Sequence, residues 1–261
     1  MTSTTDYQHL QLEQQEEQVT IILDRGRANP LGRVLIQELI DVFRNIQESE
    51  SVQGVVLTGK PGYFSAGLDV LEMYHYDREQ MHDFWSSFIE LKRTLVSFDK
   101  PLVAAVSGHA PAGGCILALC ADYRLMAAGP YKIGLNEVPV GIVVPHHIFE
   151  LYAFCIGRRQ AYQNLLEGRL LSVTEAKACG LVNEVLPADE LMYHAQHKLS
   201  HYLSFDANTW RKSKRNLRAQ LIEGTKTYTA EGMQQSLDHW FLPSTRARLK
   251  AIVEQLGKKA S

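Results

Sequence analysis

An α/β fold with parallel strand pairing is predicted by two observations. Short β-branched runs alternate with helical segments through the first half of the chain, and beyond about residue 145 strand signals give way to helices. VTIILD (19–24) is the first such run, and GVVLTG (54–59), bounded by glycines, is the second. Between them Leu35, Leu39, Val42, Phe43 and Ile46 recur at helical spacing, so 32–48 reads as an amphipathic helix. LVAAV (102–106) and YRLMAA (123–128) supply two further strands. HHIFELYAFCIG, RRQAYQNLLEG, SVTEAKACG and the stretches 187–203, 207–223 and 243–257 read as helices. In SVTEAKACG, Ser172 or Thr174 can cap the start and Gly180 marks the stop. The composition shift near residue 200 divides a strand-rich core, 1–200, from a helical C-terminal region, 201–261.

With 261 residues, 45% of them hydrophobic, the chain can bury a large core in one or two domains. Its 27 basic residues against 29 acidic ones argue against a broad nucleic-acid surface, which needs a clustered basic excess. Cys115, Cys120, Cys155 and Cys179 stand singly in apolar surroundings without a CxxC pair, as buried thiols of a reducing compartment do. Residues 1–18 are polar and acidic, no run approaches the ~20 apolar residues of a membrane span, and the C-terminal KKAS is not a peroxisomal address. A soluble cytoplasmic protein that contacts neither membrane nor nucleic acid is the expectation.

Three glycine-containing segments follow or adjoin strands: GKPGYFSAGLDV (59–70), SGHAPAGGCILA (107–118) and KIGLNEVPV (132–140). Gly113–Gly114 falls where a loop turns into the helix CILALCAD, whose first-turn N–H groups lack intrahelical partners and sit at the positive end of the dipole. The pair can present those amides to a ligand oxygen, or can simply form a tight turn that needs positive φ. Asp69 can cap the following helix and Ser-Ala-Gly can form a bend. None of the three is a phosphate loop of the GxxxxGK[ST] or GxGxxG kind. Glu137 stands among apolar Leu135, Val138 and Val140, either as a base in a dry pocket or as a surface glutamate.

In this order and spacing, FSAGLD, SGHAPAGGC, CADYRLMA and IGLNEVPVGI resemble the crotonase (enoyl-CoA hydratase/isomerase) superfamily, from about residue 19 to the C-terminus. GLNE followed by Pro145 is most similar to its Δ3,Δ2-enoyl-CoA isomerase branch. The resemblance implies a spiral ββα core, a helical C-terminal region that makes trimers or dimers of trimers, and an acyl-CoA thioester as substrate. It implies that the thioester oxygen lies between the backbone amides of Leu68 and Gly113, and that coenzyme A runs along Ser65, Ala66, Gly67, Leu68, Asp69 and Val70. Hydratases of the superfamily use two glutamates; the matching positions here are Ile116 and Glu137. Isoleucine can neither orient water nor move a proton. Shifting a double bond from C3–C4 to C2–C3 needs only one carboxylate that reaches both carbons. Isomerisation of 3-enoyl-CoA to 2-enoyl-CoA in fatty-acid β-oxidation is therefore the implied activity, with no metal and no cofactor beyond the coenzyme A of the substrate.

Asn136 can contact substrate, orient Glu137 or serve a turn. His146 and His147 open a helix along the acyl pocket and, as neighbours, point different ways; His109 precedes the glycine pair, and no metal-ligand spacing such as HExxH is present. Arg25, Arg27 and the basic residues of the last helix can reach the phosphates of coenzyme A or remain a solvated face. The rival readings are a hydratase or thioesterase with an unseen second group, and a catalytically silent acyl-CoA-binding member.

Overall fold

The fold opens on a hairpin that composition hides: β1 (Leu10–Gln15) pairs antiparallel with β2 (Gln18–Leu23). Only Leu10 of β1 is buried, so this polar edge strand lacks the apolar alternation by which strands are read. A computed structural model describes residues 7–226 and 229–260. Helix α1 (Arg33–Glu48) forms where its periodicity predicts and buries Leu35, Leu39, Val42, Phe43 and Ile46. It leads to β3 (Gly54–Thr58), every residue of which is buried.

From here the chain repeats one pattern: a core strand, a second short strand, then a helix. β3 is followed by β4 (Gly62–Tyr63), α2 (Val70–Tyr74) and α3 (Arg78–Ser97). β5 (Leu102–Val106) is followed by β6 (Gly108–Pro111) and α4 (Gly113–Leu119), and β7 (Tyr123–Ala127) by β8 (Lys132–Gly134) and α5 (Glu137–Val140). The core strands pair in parallel in the order β2-β3-β5-β7, and β4, β6 and β8 pair in parallel in a second sheet. GHAP, expected as the loop before the glycine pair, and KIG, for which no strand was expected, are thus strands of that second sheet.

The helical part follows as α6 (His146–Ile156), α7 (Arg158–Glu167), then β9 (Leu170–Ser172), α8 (Val173–Ala178), β10 (Glu184–Leu186) and α9 (Leu191–Leu203). Ser172 and Glu175 form a reciprocal capping box on α8, and the turn after it passes Gly180 at φ +79°. β9 closes the second sheet against β8, and β10 closes the first against β7. Leu191, Ala195 and Leu199 of α9 cover the face made by Val56, Val103, Ala105 and Leu125. The single helix expected over 207–223 is instead α10 (Ala207–Leu217) and α11 (Ala219–Lys226), interrupted at Arg218. α12 (Ala230–Trp240) and α13 (Pro243–Ala260) end the chain.

Buried charge ties α10 to the core. Lys214 Nζ donates to Asp122 Oδ2 and to the Lys100 carbonyl, both at 2.7 Å. The Arg218 guanidinium lies 3.0 Å from Asp122 Oδ1 and donates to the Cys120 carbonyl at 2.8 Å, which fixes the residue where the helix breaks. Cys115 and Cys120 are buried, Cys155 and Cys179 half-buried, and all four are free thiols.

Candidate active site

Because β4, β6 and β8 lie side by side in register, the segments leaving their C-terminal ends converge: 64–70, 111–116 and 135–145. Ala112 N donates to Gly134 O at 2.8 Å, joining the second to the third. The ridge of all three faces a cavity of about 440 Å³.

In the first segment Leu31 pairs with Leu68 as an isolated parallel bridge: Leu31 N donates to Gly67 O and Asp69 N donates to Leu31 O. In that pattern the amide of Leu68 itself points away from Leu31, and it donates to no carbonyl among the described residues. Gly67 has φ +86°, and a Cβ there would meet Pro111 O at 2.9 Å and Gly113 N at 3.1 Å, so conformation and space both demand glycine.

The double glycine works by closeness rather than by positive φ. A Cβ on Gly113 would lie 2.9 Å from Leu31 Cδ1 and 3.3 Å from Leu68 N, and one on Gly114 would lie 2.5 Å from Ser65 O. The left-handed residue is Ala112 (φ +48°), a strained conformation costing about 1–3 kcal/mol. Gly113 is the first residue of α4, so its N–H has no intrahelical partner. Two unengaged amides, Leu68 and Gly113, therefore come from abutting segments at the edge of one cavity. Such an arrangement can stabilise charge developing on one oxygen.

Glu137 opens α5 and lines the same cavity. The residue as a whole is half-buried, but its Oε2 is shut from solvent and finds no hydrogen-bond partner among the described residues. Desolvation pushes the carboxyl from its ordinary 4.5 up to about 7, against a small opposing effect of its own backbone N–H. The dryness does not come from the chain neighbours expected to supply it. Leu135 is buried elsewhere in the core, and Val138 is 40% exposed; of the three only Val140 lines the cavity. Residues distant in sequence do the work: Ile116 (4% exposed) from α4, Trp85, Phe88 and Ile89 from α3, and Leu249, Ile252 and Leu256 from α13.

Ala66, Leu68, Asp69, Val70, Gly113, Asn136 and Glu137 all line the cavity. Ser65 and Gly67 do not. The Ser65 hydroxyl is buried, donating to Asn29 O at 2.7 Å and accepting from Gly67 N at 3.2 Å, so it braces the loop from behind. Asp69 caps α2 through Glu72 N and lies 2.8 Å from the Arg25 guanidinium. Arg25 also bonds Glu72 Oε2 (2.8 Å) and Pro30 O (2.7 Å), which commits it to the fold rather than to an incoming phosphate; Arg27 is exposed. Asn136 occupies the cap position of α5 without making a cap hydrogen bond.

His146 and His147 diverge as expected. His146 projects outward, 3.3 Å from Glu150, whereas His147 lines the cavity and is pushed down to about 3 by burial, hence neutral. His109 stays outside it, accepting from Lys132 N at 3.2 Å between the rings of Tyr63 and Tyr131. Among the described residues no group of three or more His, Cys, Asp or Glu could hold a metal, and no helix is long and apolar enough to cross a membrane.

Sequence reasoning missed α3 and α12 as cavity walls. For α3 the signal was present: Asp77 and Gln80 form a capping box ahead of Met81, Phe84, Phe88, Leu91 and Leu95 at helical spacing. For Ser236, His239 and Trp240 of α12 no local signal tells which surface the helix covers.

Comparison with known proteins agrees with this architecture. Residues 13–255 match the family model described as enoyl-CoA hydratase/isomerase. The chain is 38% identical over 233 residues to "Enoyl-CoA delta isomerase 1, mitochondrial" of Mus musculus, spanning 88% of this chain and 81% of that protein. It is 32% identical over 190 residues to "Putative enoyl-CoA hydratase" of Thermus thermophilus, spanning 72% and 74%. The crystal structure of human mitochondrial delta3-delta2-enoyl-CoA isomerase superposes with a TM-score of 0.94 at 28% identity, covering 97% of this chain and all of that one. The mitochondrial designation of these isomerases fits poorly with the cytoplasmic expectation.

Proposed function

Because the chain belongs to the enoyl-CoA hydratase/isomerase family, we propose that it isomerises 3-enoyl thioesters of coenzyme A to 2-enoyl thioesters, a step of unsaturated fatty-acid β-oxidation. The observation that carries this reading is a single desolvated carboxyl, Glu137, sharing a cavity with two unengaged amides and with Ile116 where a second carboxylate would stand in a hydratase. The ionised Glu137 takes a proton from C2. The C–H electron pair moves into the thioester, and the amides of Leu68 and Gly113 hold the oxygen that becomes negative. Glu137 then returns the proton at C4, where the C3–C4 π pair becomes the new C–H bond while the enolate C1–C2 pair closes between C2 and C3 and the thioester carbonyl re-forms. Nothing is oxidised or reduced, and no atom is gained, so the step calls for no redox cofactor.

A thioester α-proton is weakly acidic and a carboxylate is a weak base. Preorganised donors on the oxygen and a raised carboxyl pKa narrow that gap from both sides. The apolar walls keep water from the allylic anion. The reading extends to a homotrimer or dimer of trimers, since Phe154, Tyr162 and Leu166 on α6 and α7 are 53%, 60% and 56% exposed, an apolar surface that a partner copy would cover.

The test is to incubate the protein with 3-hexenoyl-CoA and follow the absorbance of the conjugated thioester. Glu137→Gln is expected to lose about 10²–10⁴ in kcat. Equal rates in both proteins refute the assignment of the base. The similarity to a hydratase supports a second reading, addition of water to a 2-enoyl thioester, which product mass separates from isomerisation by one water.

A further inference from the structure

The turn that carries Glu137 has little to hold it from within. α5 is a single four-residue turn with no side-chain cap and no buried residue, too short to persist on its own hydrogen bonds. Its end passes through Gly141 in the left-handed region (φ +84°), whose N–H bonds Val138 O at 3.0 Å, while Ile142 N bonds Glu137 O at 2.9 Å. One side of the turn rests on α7, where a Cβ on Gly168 would collide with Pro139 at 2.2 Å. The other side is held from the C-terminal helices. His239 Nε2 of α12 lies 3.0 Å from Gly141 O, and because a carbonyl only accepts, Nε2 must carry the proton. Arg248 of α13 adds a longer contact to Pro139 O at 3.4 Å.

We propose that His239 is a positioning residue, clamping the Glu137 turn from α12 so that the carboxyl stays out of water opposite the two amides. The kinetic consequence rests on the reading of Glu137 as the base; the clamp itself does not. The titratable and charged groups around Glu137 are Cys115 from α4 and Tyr152 from α6, both held neutral by burial, the neutral His147 from α6, Asp69 and His239 on the same cavity, and Arg248 from α13 at Pro139 O; desolvation is the cause that raises its carboxyl. The state of this carboxyl therefore reports how well the turn excludes water.

The test is a ¹³C NMR titration of the protein labelled at glutamate carboxyls, with the Glu137 signal assigned by its loss in Glu137→Gln. The wild-type midpoint is expected near the value of about 7 that burial imposes. In His239→Ala and in His239→Leu, which keeps bulk but donates nothing, it falls by about one pH unit or more as water reaches the carboxylate. His239→Gln restores a donor at comparable reach and returns the midpoint toward wild type. On 3-hexenoyl-CoA the Ala and Leu variants lose about tenfold or more in kcat/KM, with partial rescue in Gln. A midpoint unchanged in the Leu variant, or one that falls as far in Gln as in Leu, overturns the proposal; that pair carries the test even where Ala fails to fold. A shifted midpoint in a protein that never converts 3-hexenoyl-CoA sinks the isomerase reading and leaves the clamp standing.

Discussion

The desolvation that would make Glu137 a useful base also costs the fold, and that cost can be measured without any substrate. Folding carries this carboxyl from an ordinary 4.5 to about 7, which at 1.36 kcal/mol per pH unit is about 3 kcal/mol. The sign follows from proton counting. Below pH 4.5 the carboxyl is protonated folded or unfolded and contributes nothing. Between 4.5 and about 7 the unfolded chain releases its proton while the folded one keeps it, so stability falls as pH rises. Above about 7 both forms are ionised and the full loss persists. Of the total, about 2.5 kcal/mol falls between pH 5 and pH 8. Glu137→Gln removes the titration, so its stability advantage over wild type should grow by that amount across the interval. Urea unfolding of both proteins at the two pH values reads it, and in Tm the gap widens by roughly 5–10 °C for a chain of this size. Every other titrating group is common to the two proteins and cancels. A stability difference that stays constant from pH 5 to pH 8 would show that the carboxyl is solvated, and the argument for a dry base would fail with it.

Three further outcomes follow from the geometry. Gly113→Ala places a Cβ 2.9 Å from the buried Leu31 Cδ1 and 3.3 Å from Leu68 N, so it should cost about 1–3 kcal/mol in urea unfolding and lower kcat on 3-hexenoyl-CoA by about 10²–10³ in the protein that remains folded; an unchanged kcat would refute the role of these amides. Asp122→Asn leaves Lys214 and Arg218 without their shared anion and should cost about 3–5 kcal/mol in urea unfolding. Lys92 is 2% exposed, its Nζ finds no hydrogen-bond partner among the described residues, and burial pushes it down to about 7. Lys92→Met should therefore raise stability by about 4 kcal/mol at pH 7, a gain that shrinks as pH climbs toward 10.5 and the unfolded lysine loses its charge too; equal stabilities at pH 7 would count against a desolvated amine.

Much of the core could be read directly because its elements are locally self-consistent. Val19–Leu23, Gly54–Thr58, Leu102–Val106 and Tyr123–Ala127 are β-branched or apolar runs that become the parallel strands, and the periodicity of 33–48 is that of a helix buried along one face. Elements without a local signal escaped. Leu170–Ser172 and Glu184–Leu186 are three residues each, and they are strands only because β8 and β7 offer open edges. GHAP and KIG are strands for the same reason.

The site divides along the same line. The order of residues alone carries the backbone chemistry: small residues at Gly67, Gly113 and Gly114 where segments must touch, an acid at 137 and isoleucine at 116. These are properties of single positions, and a chain can carry them in order. Which walls make the cavity dry was set by the fold, since packing brings Trp85, Trp240 and Leu256, from across most of the chain's length, to line one cavity with Glu137. Desolvation is a sum over everything that surrounds an atom, and neighbours in sequence are a poor guide to it: Val138, adjacent to Glu137, faces solvent.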